Sequence, residues 1–260
     1  MLIFFDIDGT LVGEDGRTMP DSAKTAIRRA RAAGHICMIN TGRTLKLVGK
    51  DITEQTEFDG LALGCGTMVV YRGKTLLHET FTPEMAGRII EGLRKYEIDA
   101  CLEGSENNFR DSEDKIFTEV YRGFINRFGG FDYGSFEEAP GHFDKFYAYV
   151  DKPDKMSRFR DEFEKSLDFV DRKGGYYEIM PKGYSKASAV DFVAKVLNIP
   201  MEETVAIGDS SNDIPMLERA HIGIAMGNAT EDIKMIADHV TTDIREDGIE
   251  NALLWLGAIH

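Results

Sequence analysis

The sequence predicts an α/β fold: a doubly wound parallel sheet interrupted by an inserted α/β domain. Three observations predict it. Short apolar runs alternate with amphipathic segments at both ends of the chain, as strand–helix–strand repetition requires. The stretch between them is richer in aromatic strands and glycine turns. Acidic clusters at Asp6 and Asp209, far apart in the chain, each directly follow an apolar run.

Leu2-Ile3-Phe4-Phe5 is a continuous apolar run of the kind that forms a strand buried on both faces. Pro20-Asp21 opens a helix whose Ala23, Ala26, Ile27 and Ala30 fall at i, i+3, i+4 and i+7, and Gly34 closes it. A strand over 36–39 runs into Asn40-Thr41-Gly42-Arg43; a helix over 45–52 and a strand over 61–63 follow. The rhythm returns with helices over 185–197, 214–220 and 230–236 and a last helix through Trp255. Strands over 204–207, 222–225 and 239–241 separate them. Right-handed crossovers then give a parallel sheet of six strands, counted from these segments. In between lie strands over 145–150 and 176–180, helices over 84–96, 113–128 and 154–167, and the turns Gly129-Gly130 and Gly174-Gly175. Residues 1–82 and 183–260 are therefore expected to form the core, and residues 83–182 the insertion.

The chain has 260 residues, room for two domains at roughly 100–200 residues each. Thirty-one basic and forty-five acidic residues give a net charge of −14. That argues against nucleic acid or an anionic membrane as partner, since both reward a basic surface. A small anionic substrate stays open, because a bound cation and a few placed donors can invert the field locally. No basic segment precedes the N-terminal apolar run, and no apolar run approaches the roughly 18 residues of a membrane span. A cytoplasmic protein is expected, in which the Asn228-Ala229-Thr230 sequon is a chance match. Cys37, Cys65 and Cys101 are odd in number and widely spaced, and make neither a disulfide framework nor a CxxC metal pair.

Asp6-Ile7-Asp8-Gly9-Thr10 leaves the first strand. Two carboxylates at the end of a buried strand are costly unless something uses both. An Asx-turn is the plainer alternative. Gly208-Asp209-Ser210-Ser211-Asn212-Asp213 leaves the strand over 204–207 and opens the helix containing Pro215. Helix capping competes as an explanation for Asn212 and Asp213. It does not explain Asp209, which sits at its own strand end. Gly208-Asp209-Ser210 could also begin an esterase site, yet His221 and His239 carry no sign of a Ser-His-Asp arrangement.

In the common order 3-2-1-4-5-6, the first and fourth strands are neighbours at the switch point where ligands bind. Asp6, Asp8, Asp209 and Asp213 then share one crevice. Two unit charges ~4 Å apart repel by about 4 kcal/mol at an effective dielectric near ~20. The group therefore needs a cation or shared protons. Oxygen ligands without His or Cys suit Mg²⁺ over zinc. The Thr41 hydroxyl and the amides after it can meet a phosphoryl oxygen; a turn plus an exposed Arg43 is the bland alternative. Lys186, which alone on a helix would read as surface, becomes the natural counter-charge.

Asp6 to Thr10, Thr41, Lys186 and Gly208 to Asp213 resemble, in order, the four motifs of the haloacid dehalogenase (HAD) superfamily. The insertion is similar to the α/β cap of its Cof-like phosphatases, as is the exit Glu178-Ile179-Met180-Pro181-Lys182-Gly183-Tyr184-Ser185-Lys186. The resemblance spans nearly the whole chain. It departs at Cys65-Gly66, where Asn-Gly is usual, and less consequentially at Ala187, where glycine usually follows the lysine.

The resemblance implies a HAD-like core with a substrate-specificity cap. It implies a Mg²⁺-dependent phosphatase for small phosphorylated metabolites such as sugar phosphates. Asp6 would become an aspartyl phosphate, and Asp8 would act as general acid and then base. Mg²⁺ would be held by Asp6, Asp209 and the backbone carbonyl of Asp8, with Asp213 in support. Thr41, Lys186 and the Asn212 amide would hold the transferring oxygens, with Gly42 and Arg43 in the same phosphate- and substrate-binding set. Phe146, Tyr147, Tyr176 and Tyr177 could stack on a substrate ring, although alternating aromatics in strands are more often core. The competing functions are a phosphosugar mutase of the same superfamily and a phospho-ligand-binding regulator without turnover.

Overall fold

The computed structural model describes residues 1–13, 15–128 and 132–260. The chain forms two compact units. The first comprises Met1–Arg43, Leu47–His78 and Ser185–His260, and the second Thr44–Lys46 and Glu79–Tyr184. In chain order the elements are β1 (Leu2–Phe5), α1 (Asp21–Ala32), β2 (Ile36–Asn40), α2 (Leu45–Thr53), β3 (Gly60–Leu63), β4 (Met68–Tyr71) and β5 (Lys74–His78). The second unit follows with α3 (Pro83–Lys95), β6 (Asp99–Glu103), β7 (Asn108–Arg110), α4 (Glu119–Phe128), β8 (Tyr133–Ser135), β9 (Lys145–Tyr149), α5 (Pro153–Phe163), β10 (Leu167–Asp171) and β11 (Tyr176–Pro181). The chain then returns with α6 (Lys186–Val196), β12 (Thr204–Gly208), α7 (Ile214–Arg219), β13 (Ile222–Ala225), α8 (Glu231–Ile236), β14 (His239–Val240) and α9 (Gly248–Trp255).

Among the described residues, the first unit's sheet has the order β14-β13-β12-β1-β2-β3-β4-β5. Strands β14 to β3 are parallel, and β1 lies between β2 and β12 as the switch-point topology requires. Both faces are covered, which is why β1 reads as an unbroken apolar run. Ile3, Phe5, Cys37, Ile39, Val205 and Ile207 face α1 and α9; Leu2, Phe4, Met38 and Ala206 face α6 and α7. The expected six-stranded sheet is extended by two more strands. Strand β4 pairs antiparallel with β3, and β5 with β4. Arg72 and Gly73, with φ of 47° and 75°, make the tight turn between them.

In the second unit the sheet order is β10-β11-β9-β6-β7-β8, antiparallel except between β7 and β8. Ala100, Leu102, Phe146, Ala148, Tyr177 and Ile179 form a core with side chains of α3 and α5. Neighbouring residues along the same strands point the other way. There Lys145 pairs with Glu178 and Glu103, and Tyr147 stacks on Tyr176 at 5.1 Å. Of the four aromatics that could stack on a substrate ring, Phe146 and Tyr177 are thus core, whereas Tyr147 and Tyr176 lie on the opposite face.

The helix expected over 113–128 is shorter. A single 3₁₀ turn at Glu113–Lys115 precedes α4, which starts at Glu119. The buried Asp99 carboxylate accepts hydrogen bonds from the Phe117 and Thr118 backbone N–H groups at 2.9 and 2.8 Å, and from the Thr118 hydroxyl at 2.6 Å. Those bonds hold the preceding segment out of the helix. The helix expected over 154–167 likewise ends at Phe163, and β10 takes the residues from Leu167. The Gly174-Gly175 turn is present, with φ of 67° and 80°; the Gly129-Gly130 turn lies outside the described residues. No helix among the described residues is long and apolar enough to cross a membrane.

Candidate active site

The site grows from the C-terminal ends of parallel strands. Register pairs Phe5 with Ile207, so the next residues along both strands, Asp6 and Gly208-Asp209, emerge side by side. The Asp6 N–H donates to the Ile207 carbonyl at 3.0 Å and extends the pairing one step beyond the strand. Ile7, Leu11 and Val12 are fully buried, and the N–H groups of Leu11 and Val12 both donate to the Ile7 carbonyl at 2.9 Å. Core packing therefore anchors the acidic loop from beneath. Gly9 at its tip has φ +81°, and a Cβ there would lie 2.2 Å from Asp209 Oδ2. Any side chain at Gly9 would displace that carboxylate. Gly208 admits Asp213 in the same way, since a Cβ on Gly208 would meet the Asp213 side chain at 2.6 Å.

Oxygens of Asp6, Asp209 and Asp213 lie within 4.8 Å of one another. Lys186 enters from the start of α6, where Ser185 and Ser188 form a reciprocal capping box. Its ammonium donates to Asp6 Oδ1 at 2.5 Å and also to Asp213 Oδ1. Asn40 at the end of β2 donates its side-chain N–H to the Lys186 carbonyl at 2.9 Å, fixing where that helix begins. Asp213 Oδ2 accepts from the backbone N–H groups of Asp209 and Ser210, both at 3.0 Å. One carboxylate thus organises the loop and orients the lysine.

The electrostatics follow from a buried ammonium, two buried carboxylates, Asp6 and Asp213, and the half-buried Asp209. Burial and the Asp213 charge push Asp6 up to about 8, with Lys186 opposing. Burial and Asp213 likewise push Asp209 up to about 7, against the Thr10 hydroxyl, which donates to its Oδ1 at 3.2 Å. Burial alone would depress Lys186, but Asp213 and Asp6 outweigh it and hold its pKa above the ordinary lysine value. The cluster carries excess negative charge and binds protons more readily than free carboxylates do. A cation supplied at this point would displace them.

The remaining expected residues are placed differently. Asp8 is exposed and forked by Arg43, whose Nε donates to Asp8 Oδ2 at 2.9 Å and whose Nη2 donates to Oδ1. It lies close enough to help raise Asp209, yet its side chain stands outside the cluster of three carboxylates. Thr41 is buried, and its hydroxyl accepts from the Arg43 N–H at 3.2 Å. Gly42 lies between the two in this turn. Asn212 does not cap α7: Asp213 holds the N-cap position without a side-chain capping bond, and Asn212 accepts from the Ser210 hydroxyl through its amide oxygen. The Asp213 carboxylate accepts instead from the Asp209 and Ser210 N–H groups of the loop before it.

Three supporting residues escaped the sequence reading. Thr10 bonds Asp209 and Asn40 bonds Lys186, both from within motifs whose other members drew the argument. Asn228 reads in the sequence only as part of a chance sequon. It donates to the Gly9 carbonyl at 2.8 Å and accepts from the Ile244 N–H at 3.0 Å, tying the loop after β13 to the acidic loop. Its position just past a parallel strand end was the available signal.

A family profile of haloacid dehalogenase-like hydrolases matches residues 3–253. The phosphatase YwpJ of Bacillus subtilis (strain 168) is 30% identical over 293 aligned positions, covering 97% of this chain and 98% of YwpJ. From the same organism, the 5-amino-6-(5-phospho-D-ribitylamino)uracil phosphatase YcsE is 28% identical, covering 97% of this chain and 94% of its own. Among solved structures, the HAD subclass IIB sugar phosphatase BT4131 superposes with a TM-score of 0.83 at 26% identity, with 99% of each chain covered. The chain belongs to the haloacid dehalogenase-like hydrolases and takes its place among their phosphatases.

Proposed function

We propose that the chain hydrolyses small phosphate monoesters, with phosphorylated sugars leading the candidates, through a covalent phosphate on Asp6. The observation that carries this reading is the meeting of Asp6, Asp209, Asp213 and Lys186 at the switch point, with Asp8 two residues beyond the nucleophile. In the first step an Asp6 carboxylate oxygen attacks phosphorus while Asp8 gives its proton to the departing alcohol oxygen. In the second, Asp8 takes a proton from water as that water attacks the aspartyl phosphate, releasing inorganic phosphate and restoring Asp6. Lys186 holds one Asp6 oxygen in place and offers positive charge to the transferring oxygens. Thr41 and the turn after it line the same strand ends.

The donor set fits Mg²⁺: three carboxylates with oxygens in mutual reach, no imidazole or thiolate, and a surplus of negative charge. Asp6 and Asp209 would hold the ion, with Asp213 fixing the loop behind them and the Asp8 carbonyl as a further oxygen. When bound, the ion would offset the charge of the phosphate and of the attacking carboxylate. The inserted unit is proposed as the part of the chain that selects among esters.

The test is a screen of phosphorylated metabolites with Mg²⁺, repeated with Asp6→Asn. Turnover by wild type and its loss in a folded Asp6→Asn variant are expected, together with a wild-type chain that mass spectrometry finds heavier by one phosphate when quenched in turnover. Hydrolysis by a clean Asp6→Asn preparation would overturn the covalent route.

A further inference from the structure

Arg43 belongs to the expected phosphate- and substrate-binding set, and the structure shows what its guanidinium holds. Its guanidinium forks the Asp8 carboxylate through Nε and Nη2, and Nη2 also donates to the Gly16 carbonyl at 3.3 Å. Its side chain is about three-quarters buried, whereas that of Asp8 is more than half exposed. A carboxylate that exposed has no packing of its own to select a rotamer. A bidentate fork supplies one.

The mount of Arg43 is rigid. Its N–H donates to the Thr41 hydroxyl at 3.2 Å, and its carbonyl accepts from the Gly64 N–H at 2.9 Å. The Cys65 N–H donates to the Thr41 carbonyl at 3.0 Å, so the turn after β2 is fastened to the segment after β3 on both sides of Arg43. An arginine held at its backbone and committed through its fork to one carboxylate is built to orient that carboxylate.

We propose that Arg43 is a positioning residue for Asp8: it fixes the plane of the carboxylate that moves the proton. The fork takes one lone-pair direction on each oxygen and leaves the other for the proton. This inference rests on the phosphatase reading and on Asp8 as its acid and base.

The test is the dependence of kcat/KM on the leaving group, because kcat/KM reports steps up to alcohol release, where a proton must reach a poor leaving group and hardly needs to reach a good one. Wild type, Arg43→Ala, Arg43→Lys, Asp8→Asn and the double variant Arg43→Ala/Asp8→Asn would be compared on an alkyl phosphate and on p-nitrophenyl phosphate. Melting temperatures would confirm that each variant is folded. For Arg43→Ala the expected result is a loss of about 10–100-fold on the alkyl ester, at or below the roughly 10²–10⁴ that general acid catalysis itself supplies, and under about 3-fold on the aryl ester. Arg43→Lys, which keeps the charge but not the fork, should fall between. The double variant should be no slower than Asp8→Asn alone. Equal losses on both esters, with additive loss in the double variant, would make Arg43 a phosphate ligand and overturn the assignment. A wild-type protein inert toward every ester would instead remove the phosphatase reading, and the role of Arg43 with it.

Discussion

At the scale of single residues, the site is held in a protonation balance that a cation should tip. Asp6 and Asp209 bind protons more tightly in the folded chain than free carboxylates do, reaching about 8 and about 7. A carboxyl raised by folding stabilises the fold fully below its unfolded pKa, and that contribution is lost as pH rises to the folded pKa. The metal-free protein should therefore lose stability from these two groups between about pH 4 and 8. Mg²⁺ acts in the opposite sense, because it needs the carboxylates ionised. Its effect on melting temperature should be small at pH 6 and grow towards pH 8. At one hundred times its dissociation constant it should add about 2.7 kcal/mol. Asp209→Asn should abolish most of that response. A Mg²⁺ shift in melting temperature that is equal at pH 6 and 8, or that survives in Asp209→Asn, would contradict the site.

At the scale of elements, legibility followed distance along the chain. The apolar run before Asp6 and the one before Asp209 could each be read locally, and switch-point topology brought them together. Features that depend on a partner far off in sequence could not be read so. That Arg43 forks Asp8 could not be read locally, because the two lie 35 residues apart in the chain. Helix α4 looked longer because Asp99, which holds the chain ahead of it, sits 18 residues upstream. Cys65 sits at φ 56°, ψ 39°, a left-handed conformation that asparagine tolerates better than most residues. That gives the usual residue a backbone reason to be there, besides any contact its amide could make. The strands β9 and β11 show the same limit. Alternation predicted two faces but not that one would bury Lys145 between Glu103 and Glu178. Burial, aided by Glu178 and opposed by Lys145, pushes Glu103 up to about 7. Glu103 should therefore cost stability as pH rises from about 4.5 to about 7. The difference in unfolding free energy between wild type and Glu103→Gln, measured by urea titration across that window, should move in favour of the variant as pH rises. A difference that stays flat would mean that Glu103 ionises normally.

At the scale of the whole molecule, each unit has its own hydrophobic core, and the chain leaves and re-enters the first unit at neighbouring places. Strand β5 ends at His78, which pairs with Met68. Ser185 opens α6 against Gly66, two residues before Met68, where a Cβ would lie 2.7 Å from the Ser185 carbonyl oxygen. A short Gly/Ser linker in place of Glu79–Tyr184 should therefore close without straining either element. The remaining core keeps Asp6, Asp8, Thr41, Arg43, Lys186, Asp209 and Asp213, and every strand of the first unit's sheet. It should fold by circular dichroism and melt higher with Mg²⁺, because those carboxylates and their supporting bonds all lie within the first unit. If the inserted unit selects substrate, the shortened chain should hydrolyse esters more slowly and with specificity constants that converge for different phosphorylated sugars. A shortened chain that cannot fold would count against the independence of the two cores. One that folds, binds Mg²⁺ and keeps the parent's ranking of esters would move specificity to the strand-end loops of the first unit, among them the turn that carries Arg43.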